Sequence, residues 1–133
     1  MGAAAQRQVM VIEDDFAIRE TLRELLEEEG YHVVGAANGM EALDRLKAGR
    51  APHLILLDLM MPIMDGWEFR SAQQLDPALA GIPVVVISAS HGLEQKVAGM
   101  SAAAFLAKPF ELDALLETVE RYCQRRVPRE LQH

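Results

Sequence analysis

The sequence predicts an α/β fold: a five-stranded, doubly wound parallel sheet, (βα)5, with helices on both faces. Two observations carry this. Short branched apolar runs alternate five times with stretches of helical period. The runs are apolar at nearly every position, as expected for parallel strands covered on both sides. A third, the clustering of charged residues just after the runs, bears on function.

The first strand is Val9-Met10-Val11-Ile12. In the helix that follows, Ile18, Leu22, Leu25 and Leu26 form one stripe with Arg and Glu opposite, and Gly30 stands where a C′ glycine is expected. Tyr31-His32-Val33-Val34 is the second strand. Asn38 caps the second helix while Glu41 reaches back, and Leu43 and Leu46 point inward. Leu54–Leu57 is the third strand. The helix after Gly66 turns Phe69 and Ala72 inward and ends before Asp76-Pro77. Pro83–Ile87 is the fourth strand, and a helix from near Ser90 places Leu93, Val97 and Met100 on one side. Phe105-Leu106-Ala107 is the fifth. The last helix runs from about Glu111 with Leu112, Leu115, Leu116, Val119 and Tyr122 as its stripe, and Cys123 on that stripe reads as core. Residues 8–126 are the expected domain, with 1–7 and 127–133 as flexible ends.

A chain of 133 residues is one domain, and its 50% apolar and 25% charged residues are those of an ordinary globule. Its 13 Lys+Arg against 20 Asp+Glu argue against direct binding of nucleic acid or an anionic membrane. One cysteine excludes an intramolecular disulfide and a Cys-rich zinc site. No apolar run approaches a bilayer span, and the start lacks signal-peptide order, so a cytoplasmic location is expected.

In open α/β sheets, ligands bind beyond the carboxyl ends of the strands. There stand Glu13-Asp14-Asp15, then Asp58, Ser88 and Lys108-Pro109, after the first, third, fourth and fifth strands. Two like charges ~4 Å apart repel by roughly 4 kcal/mol at an effective dielectric of 20, so clustered carboxylates call for a cation. Oxygen donors suit a hard ion such as Mg²⁺. Lys108 can pair with Asp58 or with an incoming phosphoryl oxygen, and Asp58 has the chemistry of a nucleophile that forms an aspartyl phosphate. Read singly, each acid is a solvated loop residue or a helix cap, and Asp15 fits a cap well.

With these residues assembled, the chain resembles the receiver domain of bacterial two-component response regulators, of the single-domain, chemotaxis-regulator-like kind. The matching segments are Val11-Ile12-Glu13-Asp14-Asp15 with Ile18-Arg19-Glu20, and Leu56-Leu57-Asp58-Leu59-Met60-Met61-Pro62-Ile63-Met64-Asp65-Gly66. Pro83-Val84-Val85-Val86-Ile87-Ser88-Ala89 and Phe105-Leu106-Ala107-Lys108-Pro109-Phe110 complete the set. The resemblance implies the flavodoxin-like strand order 2-1-3-4-5. It implies Asp58 as phosphoacceptor and a Mg²⁺ (or Mn²⁺) ion bound by Asp14, Asp58 and the Met60 backbone carbonyl, with Glu13 acting through water. By the same resemblance Ser88 and Lys108 contact the phosphoryl group, Ala89 leaves the approach open, and the Lys108–Pro109 peptide is often cis. Ser88 and Phe105 form the switch, with Ser88 in place of the commoner Thr and Phe105 lacking the hydroxyl of a Tyr. Met60 and Ser90 occupy places that tune water attack, and a bulky Met60 implies slow dephosphorylation.

The implied partners are a histidine kinase or histidine phosphotransfer protein and a downstream protein target. The chain would be a monomer or a weak dimer through the fourth helix, fifth strand and fifth helix. It would be no enzyme beyond catalysing its own phosphorylation and slow dephosphorylation. A stand-alone receiver is expected, with a receiver cut from a larger protein as the rival. A Mg²⁺-dependent aspartate-nucleophile phosphatase needs a second acid where Met60 stands, and usually a cap insertion. A flavin or nucleotide carrier needs a Gly-rich loop after the first strand. A non-phosphorylated interaction module would have no use for Asp14, Asp58, Ser88 and Lys108 together. Elsewhere, Met60, Met61 and Met64 are expected as buried loop packing, and Trp67 as either partner anchor or half-buried packing. Arg121, Arg125, Arg126 and Arg129, interleaved with Glu117, Glu120 and Glu130, read as a solvated helix face, and His32 and His91 as isolated.

Overall fold

The computed structural model describes residues 7–89 and 94–123. Five strands, β1 (Gln8–Ile12), β2 (His32–Ala36), β3 (Leu54–Asp58), β4 (Val84–Ser88) and β5 (Ala104–Ala107), alternate with five helices. These are α1 (Phe16–Glu28), α2 (Gly39–Ala48), α3 (Gly66–Leu75), α4 (Glu94–Ala98) and α5 (Leu112–Cys123). All strand pairs are parallel, in the order β2-β1-β3-β4-β5. The predicted fold class and order hold. The order reverses between β1 and β3, the place where such a sheet opens a crevice at its carboxyl edge.

Alternation along the strands divides the core in two. Val9, Val11, Leu54, Leu56, Val85 and Ile87 face α1 and α5, where Leu22, Leu26, Leu115, Val119 and Cys123 meet them. Met10, Ile12, Ile55, Leu57, Val84 and Val86 pack with Leu43, Leu46, Phe69, Val97 and Met100 on the other face. Each such side chain contributes roughly 1.5–3 kcal/mol by leaving water. β5, at the sheet edge, is only half-buried. No described helix is long and apolar enough to cross a membrane.

The helix ends follow the sequence closely. Asp15 caps α1 by accepting from the Ile18 N–H, as its position predicts. At the other end Gly30 takes φ +97°, and the Tyr31 and Gly30 amides close on the Leu26 and Glu27 carbonyls in a Schellman motif. Asn38 caps α2, while Glu41 reaches one residue further back than expected, to the Ala37 N–H at 2.6 Å. Asp65 and Glu68 form a full capping box on α3.

Several expectations need correction. β2 starts at His32 rather than Tyr31 and continues through Gly35 to Ala36, because its parallel pairing with β1 runs on to Ile12 opposite Ala36. The described part of the fourth helix is Glu94–Ala98, and Met100 is buried in the turn after it, bonded back to Val97. Leu112, placed on the buried stripe, is 43% exposed, because it opens α5 over a groove shared with Ile18 and Phe110. Met60 is 62% exposed rather than packed in its loop; Met61 and Met64 are half-buried against the core. Trp67 packs half-buried on the same core, and Arg121 and His32 are exposed. Ser90, His91, Leu93, Arg125, Arg126 and Arg129 lie outside the described residues.

Candidate functional site

β3 and β4 each extend one residue beyond the predicted runs, so Asp58 and Ser88 are the last residues of their strands. Glu13 follows β1 directly, and its N–H extends the ladder to the Ala36 carbonyl at 3.0 Å. Lys108 follows β5 and donates its N–H to the Ser88 carbonyl at 2.7 Å, and the Lys108–Pro109 peptide is cis. Parallel pairing thus carries four chain-distant residues to one edge. Carboxylate oxygens of Glu13, Asp14 and Asp58 lie within 4.8 Å of one another. Glu13 is 1% and Asp58 5% exposed, while Asp14 stands open at the mouth.

The charges are unevenly compensated. Lys108 Nζ donates to Glu13 Oε1 at 2.7 Å, so its ion pair in this state is with Glu13 rather than with Asp58. Glu13 Oε2 also accepts the Asp15 N–H at 3.2 Å. Asp58 Oδ1 accepts one long bond, from the Met60 N–H at 3.4 Å. Burial, and next the negative charge of Glu13, push the Asp58 carboxyl from 3.8 up to about 7, against the opposing pull of Lys108 and the Met60 amide. Three oxygen donors, with no sulfur or nitrogen ligand among them, and a carboxylate whose charge is poorly balanced fit a hard divalent cation.

The β3–α3 loop is built against this edge. The Gly66 N–H returns to the Leu59 carbonyl, and a Cβ at Gly66 would stand 2.6 Å from the Asp58 carbonyl oxygen and 2.8 Å from Leu59 Cα. Only glycine permits α3 to start so close to the strand end. Ile63 takes φ +70° in a turn closed by the Met64 N–H on the Pro62 carbonyl, a costly conformation for a branched residue, and is 77% exposed. Met64 then covers Gly39 at the start of α2, where a Cβ would meet its Cγ at 2.6 Å.

Ser88 is fully buried, one strand over from Asp58. Phe105 pairs in register with Val86, and its ring is half-buried against the α4-side core, below the site edge. Two arginines carry structure that the sequence reading did not see. Arg19 donates to the Glu13 carbonyl at 2.6 Å. Arg70, 6% exposed on α3, donates to the Met100 and Ser101 carbonyls and to Gln73, whose amide in turn holds the Leu79 and Ile82 carbonyls. Apolar periodicity alone had no signal for either.

Comparison with known proteins follows the same lines. The profile of the response regulator receiver domain matches residues 9–120. The response regulator MprA of Mycobacterium sp. strain KMS is 39% identical over 125 residues, which is 92% of this chain and 53% of the relative. MprA of Mycolicibacterium vanbaalenii is 38% identical over 91% of this chain and 52% of its own length. The chain therefore spans about half the length of the curated relatives it matches. Among solved structures, the receiver domain of a signal transduction histidine kinase from Syntrophus aciditrophicus superposes with a TM-score of 0.82 at 30% identity, covering 92% of this chain and 96% of that one. The response regulator TrrA of Thermotoga maritima, in complex with Mg(2+)-BeF, gives 0.79 at 29% identity, covering 88% and 99%.

Proposed function

The chain belongs to the response regulator receiver domains of two-component signalling, and on that premise we propose that Asp58 takes a phosphoryl group from the phosphohistidine of a histidine kinase or histidine phosphotransfer protein. An Asp58 carboxylate oxygen attacks phosphorus in line. The P–O bond forms as the P–N bond breaks, and the partner's imidazole leaves with the electron pair of that bond. Because the nucleophile must be ionised, a carboxyl held near 7 is a barrier that a bound cation removes.

Asp14, Asp58 and the Met60 carbonyl would hold Mg²⁺ (or Mn²⁺) directly, with Glu13 acting through water, a division that suits Glu13's existing bond to Lys108. When bound, the ion supplies neutralisation of charge on the phosphoryl oxygens. Lys108 turns from Glu13 toward the phosphoryl group, and the Ser88 hydroxyl donates to one of its oxygens. Positioning and electrostatics do most of the work, as is general for phosphoryl transfer. The new dianion draws Ser88 inward and Phe105 follows, shifting a pre-existing equilibrium. The exposed Met60 chain screens the acyl phosphate, so hydrolysis is slow.

The protein acts on itself and turns over no other substrate; its output is a protein partner rather than nucleic acid, in the cytoplasm. Self-association, where it occurs, is weak and uses α4, β5 and α5. The exposed apolar side chains Phe16, Met60 and Ile63, close in sequence to Asp14 and Asp58, give the histidine-bearing partner a surface to meet.

The observation that carries this reading is the convergence of Glu13, Asp14 and Asp58 within 4.8 Å at the sheet's order reversal, beside Lys108, which is ion-paired to Glu13. Incubation with Mg²⁺ and a small acyl phosphate, followed by intact mass, tests it. One added phosphoryl group that needs the metal and is absent from Asp58→Asn is expected; a phosphorylated Asp58→Asn protein would contradict it.

A further inference from the structure

We propose that Arg19 is a positioning residue for the divalent-cation site, that it acts by fixing the peptide between Glu13 and Asp14, and that Gly35 on β2 leaves the room it needs. The inference rests on the cation reading above. The β1–β3 ladder ends at Ile12 opposite Leu57, so the Glu13 carbonyl lies past the last ladder pair. Its hydrogen bond comes instead from Arg19 NH1 at 2.6 Å, while the Glu13 N–H is tied to Ala36. That peptide plane joins the two residues that supply two of the three carboxylates of the cluster. Letting it rotate would move both carboxylates at once.

Arg19 is itself held on three sides. Its N–H bonds to the Asp15 carbonyl at 2.9 Å, and its guanidinium carbon lies 5.4 Å from the centre of the Phe16 ring. Its methylenes run over Gly35, where an added Cβ would stand 3.2 Å from Cδ and 3.5 Å from Cγ. A side chain at position 35 would press on Arg19 and on the Arg23 guanidinium, 3.3 Å from that Cβ, and both would have to shift. Gly35 is a poor strand former, and its place in mid-β2 is explained by this contact.

The sign of one measurement separates the proposal from simpler accounts. By charge alone, a guanidinium beside a cation site opposes the cation, so removing it should tighten Mg²⁺ binding. As mere scaffolding, Arg19 would affect stability and leave affinity unchanged. As a positioning residue its loss weakens Mg²⁺ binding, by about tenfold if it behaves like other outer partners of metal ligands. Calorimetric titration of the chelator-stripped whole chain with MgCl₂ reads this directly, with urea unfolding in chelator as the separate measure of stability. Arg19→Met keeps the methylenes and removes the donor; about tenfold weaker binding is expected, with Arg19→Lys between it and wild type. Gly35→Val alters neither the Arg19 side chain nor any carboxylate chemically but displaces the arginine, so it should weaken Mg²⁺ binding in the same direction, which keeps the test open if Arg19→Met does not fold. Unchanged or tighter Mg²⁺ binding in these variants, with wild type binding normally, overturns the role of Arg19 alone. No Mg²⁺ binding by wild type overturns the cation reading and this inference with it.

Discussion

Replacing Asp58 by asparagine should stabilise the metal-free protein at alkaline pH and lose that advantage in acid. Asp58 is 5% exposed and lies beside Glu13, so its ionised form is costly in the fold. Its carboxyl rises from 3.8 to about 7, chiefly through burial and then through Glu13. The folded chain therefore holds this proton more tightly than the unfolded chain. Between about pH 4 and about pH 7 the native state carries more protons, and stability falls as pH rises, levelling off above. This is the reverse of a salt-bridged aspartate. At about 1.4 kcal/mol per unit, the shift from 3.8 to about 7 sets a ceiling near 4 kcal/mol. Local relaxation and water entry reduce such penalties, so the expected gain in Asp58→Asn is about 2 kcal/mol at about pH 8. At about pH 4 most of the difference is gone, because a protonated carboxyl and an amide cost much the same to bury. Urea unfolding of both proteins in chelator at the two pH values measures it. Added Mg²⁺ should then favour wild type, since a ligand bound only by the native state stabilises it. An Asp58→Asn protein no more stable than wild type at about pH 8, or equally advantaged at both pH values, would refute the argument that Asp58 carries an uncompensated charge.

Gly66→Ala, which by helix propensity should gain about 1 kcal/mol, should instead lose about 2 kcal/mol in urea unfolding, because the new Cβ meets the Asp58 carbonyl at 2.6 Å. A gain would show that the loop yields easily. Arg70→Met should cost about 3 kcal/mol by orphaning the Ser101 carbonyl and the Gln73 side-chain oxygen, and a denaturant midpoint equal to wild type would contradict the clamp. Ile63→Gly should raise stability by about 1 kcal/mol, as relief of the positive φ exceeds the entropy cost of glycine; a lower melting temperature would sink the claim of strain.

Much of this was legible in the chain because both faces of a parallel sheet must be covered. That requirement writes Val9–Ile12, Leu54–Leu57 and Val84–Ile87 as unbroken apolar runs, and the chemistry follows where they stop. Caps were legible for a similar reason: Asp15, Asn38 and Gly30 satisfy local backbone groups, and local needs are met by nearby residues. What escaped depends on distance along the chain. Arg70 and Gln73 sit at buried positions of α3, and nothing along the chain singles them out until the Met100, Ser101, Leu79 and Ile82 carbonyls are brought to them. The predicted second strand stops at Val34, short of Gly35, since the arginines filling that glycine's missing side chain come from α1. Lys108 lies on the expected edge, but its choice of Glu13 over Asp58 is a matter of side-chain geometry that no spacing encodes.

The most direct test asks which side chain carries the phosphoryl group. After brief exposure to Mg²⁺ and acyl phosphate, borohydride reduces an aspartyl phosphate to homoserine, and tandem mass spectrometry of the digested chain locates it. Homoserine at position 58, and nowhere else, is the predicted result. Homoserine at Asp14 or Asp15 with Asp58 untouched would contradict the account.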